Sequence, residues 1–207
     1  MSKDVKNVPA LRFRGYSDAW EKRKLGDVAE RVRKNDGRMN LPILTISAGK
    51  GWLTQRERFS QSIAGKELKN YTLLSKGELS YNHGNSKLAK YGAVFALKDY
   101  DEALVPRVYH SFDVSGKADS DFVEYLFASK TPDNELRKLI SSGARMDGLL
   151  NINYEAFMGI SILLPSVKEQ RSISRIIQTA SLLIAATQSR LSSLELLKKA
   201  LLQDLFI

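Results

Sequence analysis

Three short stretches of this chain carry residue types able to grip a nucleic acid. Lys50 and Trp52 flank Gly51. His83, Asn85, Ser86, Lys87, Lys90 and Tyr91 crowd around Gly84. Arg145 and Met146 follow Gly143. Lysines and hydroxyls hold phosphates, whereas an Asn amide can pair with adenine and an Arg with guanine through two parallel hydrogen bonds. Turns favour Gly, Asn and Ser for reasons of their own, so for any single residue composition is explanation enough. The second stretch is different as a cluster, because it gathers amide, hydroxyl and cations in one predicted loop, and it reads as a binding surface. The charged run Arg31-Val32-Arg33-Lys34 reads as a solvated face, with phosphate contact the alternative.

Catalytic chemistry is not visible. The chain has no cysteine, which excludes disulfides, thiolate metal sites and a Cys nucleophile, and which fits a reducing cytoplasm. The two histidines, His83 and His110, have no carboxylate at metal-ligand spacing, and His110 sits inside a strand pattern as a structural residue. No Gly-x-x-x-x-Gly-Lys-Ser/Thr loop is present, and no Gly-x-Gly-x-x-Gly follows a strand. The acidic residues form no pairing distinct from solvated surface. The expectation is binding without catalysis, with no metal and no cofactor. A formal net charge of +9 over 207 residues favours a polyanionic partner, DNA or RNA before a membrane. The opening Met1-Ser2-Lys3-Asp4 lacks a signal-peptide core, and no apolar run is long enough to span a bilayer.

The elements that must position these residues are partly readable. Residues 1–19 are polar and basic and are expected to lie as an arm over the body. Trp20 to Val32 reads as weakly helical. Leu41 to Ile46, Glu78 to Tyr81, Gly92 to Leu97, Val105 to Val114 and Ile160 to Leu164 read as strands. Gly49 to Trp52 reads as a tight loop. Phe122 to Ala128 looks helical, and a second helix runs from a Thr131 cap with Pro132 in its first turn through Ile140, ended by Gly143. Strands and helices do not alternate regularly, so the expected class is α+β: a mixed α/β globular head over 1–164, followed by a long C-terminal coiled-coil helix over 165–207. No internal repeat or low-complexity segment appears.

That helix opens with Ser166 and Glu169 at capping-box spacing. Beyond it no Gly or Pro interrupts the chain. Apolar residues recur at alternating steps of four and three: Ile173, Ile177, Ala180, Ile184, Leu191, Leu194, Leu201 and Leu205. Thr187 and Lys198 break the seam, as polar residues that set register do. From Ile173 to Leu205 it spans about 50 Å at a helical rise of 1.5 Å per residue. Packing on its own head is the simpler reading, but a head this small could cover only part of such a length, so pairing with another helix is expected.

Several segments together resemble the specificity (S) subunit of type I restriction–modification systems. They are Pro9-Ala10-Leu11-Arg12-Phe13 with Trp20, Leu25-Gly26-Asp27-Val28, and Tyr81-Asn82-His83-Gly84-Asn85-Ser86-Lys87. They continue with Gly143-Ala144-Arg145, Asn151-Ile152-Asn153, and Ile162-Leu163-Leu164-Pro165 leading through Glu169-Gln170 into the helix. The order and spacing extend over almost the whole chain. The resemblance implies a target-recognition head that reads half of a bipartite site in double-stranded DNA. It implies a helix that acts as a ruler and docks methylation (M) subunits, which use S-adenosylmethionine and in turn recruit restriction (R) subunits. It also implies no catalytic site, consistent with the absence of an Asn-Pro-Pro-Tyr type methyltransferase segment. Family members usually carry two heads and two helices, whereas this sequence holds one of each; the heptad seam is expected to complete the pattern, either as a homodimer reading a palindromic, interrupted site or by pairing with a full-length S subunit. The competing readings are a coiled-coil adaptor with a non-specific basic surface, and a nuclease or methyltransferase built from unrecognised residues.

Overall fold

The computed structural model describes residues 7–58, 66–140 and 148–206. The chain enters along an arm, then forms β1 (Glu21–Lys24), the single turn α1 (Leu25–Val28) and β2 (Glu30–Arg31). A hairpin, β3 (Leu44–Ser47) and β4 (Gly51–Thr54), leads into the short α2 (Gln55–Arg58). After a 3₁₀ turn at Lys66–Asn70 come β5 (Thr72–Ser75), β6 (Leu79–Asn82), β7 (Ala93–Ala96), β8 (Glu102–Val105) and β9 (His110–Asp113). Helices α3 (Ser120–Ala128), α4 (Asp133–Lys138) and α5 (Tyr154–Met158) precede β10 (Ser161–Leu164) and the terminal helix α6 (Val167–Leu205).

Among the described residues every pair of strands is antiparallel, and Ile43 and Leu104 add one isolated parallel bridge. One sheet runs in the order β2-β9-β6-β7, and β1 with β10, β3 with β4 and β5 with β8 form separate pairs. Helices are segregated rather than interleaved as crossovers, so the head is α+β. The largest core gathers Leu25, Val28, Leu79, Tyr81, Phe112, Phe122 and Phe157 between the sheet, α3 and α5. Tyr81 and Phe157 stack with ring centroids 4.2 Å apart, and each such fully buried ring stabilises by about 1.5–3 kcal/mol through area alone. A second core of Val32, Leu44, Ile46, Leu74, Val105 and Tyr109 holds the β3–β4 hairpin against β8.

Several expectations are corrected. Trp20 to Val32 is mostly extended, with one helical turn. Backbone pairing with β10 holds β1, and all four β1 side chains are exposed, so no alternating apolar signal marks it. The expected strand Val105 to Val114 is two strands, because Pro106 has no N–H to donate and the Tyr109 N–H closes a turn on the Pro106 carbonyl at 3.0 Å. The strand expected from Leu41 begins at Leu44, after Pro42. Helix α4 exists, but Thr131 does not cap it. Pro132 occupies the cap position, and the Thr131 hydroxyl pairs with the Ser129 hydroxyl at 2.7 Å. Gly143, expected to end that helix, lies outside the described residues. Trp52, expected in a loop, is the second residue of β4.

Helix α6 is 39 residues long, about 58 Å at 1.5 Å per residue. The Ser166 hydroxyl accepts from the Glu169 N–H at 3.3 Å, so half of the expected capping box forms. The other half does not, because the Glu169 carboxylate takes both Arg12 Nε and Nη2 at 2.7 Å each. The arm is fastened to the helix by that bidentate pair and by the Tyr16 and Ser172 hydroxyls, 3.1 Å apart. Gln170, Ser174 and Gln178, spaced one turn apart, stitch α6 to α3. Gln170 Oε1 accepts from the Asp119 N–H at 2.9 Å, Ser174 Oγ donates to Asp119 Oδ1 at 2.6 Å, and Gln178 Nε2 donates to Asp121 Oδ2 at 2.6 Å. Ile173 packs against the main core and Ile177 is half-buried, so these first two seam positions face their own head. From Thr179 to Phe206 every residue is exposed, a free length of about 40 Å at the helical rise. Among the described residues no helix is long and apolar enough to cross a membrane.

Candidate nucleic-acid interface

The first two candidate loops meet. In the β3–β4 hairpin the Lys50 N–H turns back to the Ser47 carbonyl at 3.3 Å, and Gly51, paired with Ser47, takes φ +72°, where a side chain would be strained. The neighbouring Gly49 lies so close to Leu88 that a Cβ on it would sit 2.9 Å from Leu88 Cδ1. Asn82, at the end of β6, ties the same two loops: its Nδ2 donates to the Ile46 carbonyl at 3.3 Å while its Oδ1 accepts from the Gly84 N–H at 3.0 Å. Exposed Lys50 is thereby placed beside the turn that carries Asn85, Lys87 and Lys90.

The segment 148–150 reaches this place too. Arg145 and Met146 lie outside the described residues, but the chain that follows them is tethered to the second loop. The Asn85 N–H donates to the Gly148 carbonyl at 3.0 Å, Gly84 bridges Leu149, and the Leu150 N–H donates to the His83 carbonyl at 2.8 Å. Segments 47–51, 83–91 and 148–150 therefore form one edge of the head.

On that edge the candidates divide into two groups. Asn85, Lys87 and Lys90 are exposed. Among the described residues, the side chains of Asn85 and Lys87 make no hydrogen bond or ion pair, and Lys90 Nζ lies only over the Tyr91 ring, 5.5 Å from its centroid. Lys50 is equally free of an ion pair among the described residues, and these four side chains are available to a ligand. The others are committed to the framework. Trp52 is half-buried, and its Nε1 donates to the Ala96 carbonyl at 3.0 Å. The Ser86 hydroxyl accepts from the Ala89 N–H at 3.1 Å, which closes the turn. Tyr91 packs on the main core, and its carbonyl accepts from the Tyr81 hydroxyl at 2.7 Å. His83 is 5% exposed, with Nδ1 2.7 Å from the Leu150 carbonyl and Nε2 3.1 Å from the Val108 carbonyl.

His83 stacks on His110 at 4.9 Å between centroids. Burial pushes the His110 imidazole down to about 4, so it is neutral at pH 7, and its Nε2 donates to the Ile152 carbonyl at 2.8 Å. The pair is a structural floor. Among the described residues no group of His and acidic residues could hold a metal ion.

Sequence reasoning missed Arg58. It reaches from α2 to donate to Thr45 Oγ1 at 3.0 Å and to the Ile46 carbonyl, and it lines a cleft with Asn82, Asn85 and Ser86. Nothing in its local pattern marks it, since the contact depends on how α2 folds back over the hairpin.

No known family profile matches the chain, and no curated protein is similar to it in sequence. Solved structures are similar in fold. The HsdS subunit from Thermoanaerobacter tengcongensis superposes with a TM-score of 0.60 at 15% identity, over 97% of this chain and 50% of that one. A chain of a type I restriction–modification system, solved for its complex assembly and conformational transition, superposes with a TM-score of 0.56 at 13% identity, over 96% and 50%. At such identities the likeness establishes architecture: a mixed α/β head followed by one long helix, an HsdS-like fold that spans about half the length of each solved chain it matches.

Proposed function

We propose that this chain acts as a non-catalytic, sequence-specific DNA-binding specificity subunit of a type I restriction–modification system. Its head reads one half of a bipartite site. The observation that carries this reading is the single edge formed by segments 47–51, 83–91 and 148–150, presenting the Asn85 amide, free among the described residues, with Lys50, Lys87 and Lys90 around it. Cations for phosphate beside an amide for a base edge are what reading a duplex requires. The HsdS-like architecture supports the assignment.

The free part of α6 supports a ruler and docking role. Ile184, Leu191, Leu194, Leu201 and Leu205 are between 49% and 71% exposed, and such a stripe in water seeks another apolar face. In this proposal a second copy covers the seam from Ala180 to Leu205, and methylation subunits, with restriction subunits behind them, assemble on the resulting core. Thr187 fits a register position, since its hydroxyl is satisfied by the Leu183 carbonyl at 2.8 Å.

Selection from a randomised duplex pool with the purified full chain tests the reading. A specificity subunit enriches a split motif, and Asn85→Ala relaxes one position of it by about 1–3 kcal/mol. Enrichment of no motif would instead identify an adaptor with a non-specific basic surface.

A further inference from the structure

A second basic surface lies beside the loop edge and is used by nothing described so far. It is a groove lined by Arg31, Arg33 and Arg107 together with Tyr154 and Glu155, with His83 and His110 below. The sequence run Arg31 to Lys34 reads as a solvated face, but folding separates its members. Lys34 turns away to Glu78 at 2.8 Å and Ser75 at 2.9 Å. Arg31 is immobilised: its guanidinium lies 4.1 Å from the centroid of the Tyr154 ring, with Glu155 at 3.5 Å. Arg33 and Arg107 are exposed, and among the described residues neither forms an ion pair or a side-chain hydrogen bond.

Two free guanidiniums beside a third are an unneutralised cluster. Among the described residues Glu155 is the only carboxylate that lines the groove, and Arg31 already engages it. Partial burial, and after it repulsion from Arg31 and Arg107, lowers Arg33 from its ordinary value, which marks the three as crowded. Such crowding is relieved by a bound anion, and a planar guanidinium pair matches a phosphate well. Among the described residues the exposed Asn151 side chain also lines the groove without a hydrogen-bond partner, whereas the rest of the floor is committed. The three ring nitrogens that reach carbonyls are His83 Nδ1 and Nε2 and His110 Nε2, and the Asn153 side chain caps α5 by accepting from the Ala156 N–H at 2.7 Å.

We propose that Arg33 and Arg107 form a backbone-phosphate clamp for nucleic acid, separate from the loops that read bases. This rests on the DNA-binding reading above and extends the contact surface beyond the loop edge. A phosphate contact positions the duplex and carries no sequence information, so the clamp strengthens binding equally on all sequences.

The test measures duplex affinity of the full chain against salt, for wild type, the double variant Arg33→Gln/Arg107→Gln and the charge-preserving Arg33→Lys/Arg107→Lys. Among the described residues neither arginine has a side-chain partner to lose, and thermal melting by circular dichroism checks that each variant is folded. Losing two phosphate contacts lowers the slope of log K against log salt by about 1.8, so the wild-type advantage shrinks about twelvefold between 50 and 200 mM salt. The Lys variant restores most of the slope, and the motif selected from a random pool is unchanged in both. A folded Gln variant with the wild-type slope overturns the clamp and leaves the DNA-binding reading standing. A changed motif overturns the assignment to phosphate. Wild-type affinity for duplex combined with lost affinity for a poly-glutamate peptide overturns nucleic acid as the occupant. A wild-type chain that binds no duplex overturns both the clamp and the reading it rests on.

Discussion

Replacing Arg12 by Ala removes the partner of a carboxylate that is only 1% exposed. Deleting one member of a buried ion pair costs about 3–5 kcal/mol, because the remaining charge keeps its desolvation penalty. Two features reduce that figure here. Glu169 sits in the first turn of α6, where the helix dipole favours a carboxylate by about 0.3–1 kcal/mol. Arg12 also carries a buried Nη1 that has no hydrogen-bond partner among the described residues, a cost that leaves with it. The expected loss is therefore about 2–4 kcal/mol, which for a domain of this size lowers Tm by about 5–15 °C. The assay is thermal unfolding of Arg12→Ala, Glu169→Ala and the double variant. Since both singles break one interaction, the double should be less destabilised than their sum by about 2–3 kcal/mol. An Arg12→Ala chain that melts within about 2 °C of wild type, or strict additivity, would refute the claim that this pair fastens the arm to the helix.

Three further outcomes are expected. Gly92 has φ +84°, and a Cβ there would lie 2.5 Å from both the Asn82 carbonyl oxygen and Tyr81 Cε2, so Gly92→Ala should cost about 3 kcal/mol or more in urea unfolding. His110 is held neutral in the fold at about 4 against 6.5 when unfolded; the unfolded chain thus binds the extra proton first, and stability present above pH 6.5 is lost as pH falls toward 4. Partial exposure reduces the effect to about 2 kcal/mol, and His110→Gln should flatten that part of the stability–pH curve measured by denaturant titration. If the proposed self-association through α6 holds, Leu191→Asp with Leu194→Asp should leave the melting of the head unchanged and give a monomer by light scattering where the wild type gives a dimer; a variant that stays dimeric would refute pairing through this seam.

The sequence makes legible those elements that bury an alternating or helical apolar pattern. Strands β6, β7 and β10 and helix α3 all place apolar residues in the core at the expected spacing. Strand β1 is held by its backbone alone, and helix α5 is only five residues long, so neither leaves a periodic trace. At the start of α6 the apolar seam is readable but its use is not. Whether Ile173 faces a partner or its own head depends on Gln170, Ser174 and Gln178, polar residues whose spacing gains meaning only once Asp119 and Asp121 are placed opposite them. The second candidate loop was visible as a cluster of types. That His83, Ser86 and Tyr91 serve the framework while Asn85 and Lys87 stay free follows from long-range contacts with Leu150, Val108 and Tyr81, which no local pattern encodes. The arginine groove joins residues 31, 33, 107 and 154 from distant parts of the chain, so only the fold reveals it.

Only Pro165 and Ser166 separate β10 from α6. The proline fixes one backbone angle, its carbonyl accepts from Gln170 Nε2 at 2.9 Å, and the serine closes the first turn. The joint has no slack, so head and helix form a single lever. One residue added beyond Thr179 would swing the distal stripe by about 100° in azimuth and advance it by about 1.5 Å, altering how far apart and at what mutual rotation two such levers hold their loads. One residue added at the joint would unseat the lever from its fulcrum. Natural variation in reach is accordingly expected in the exposed two-thirds of the helix and not at its root.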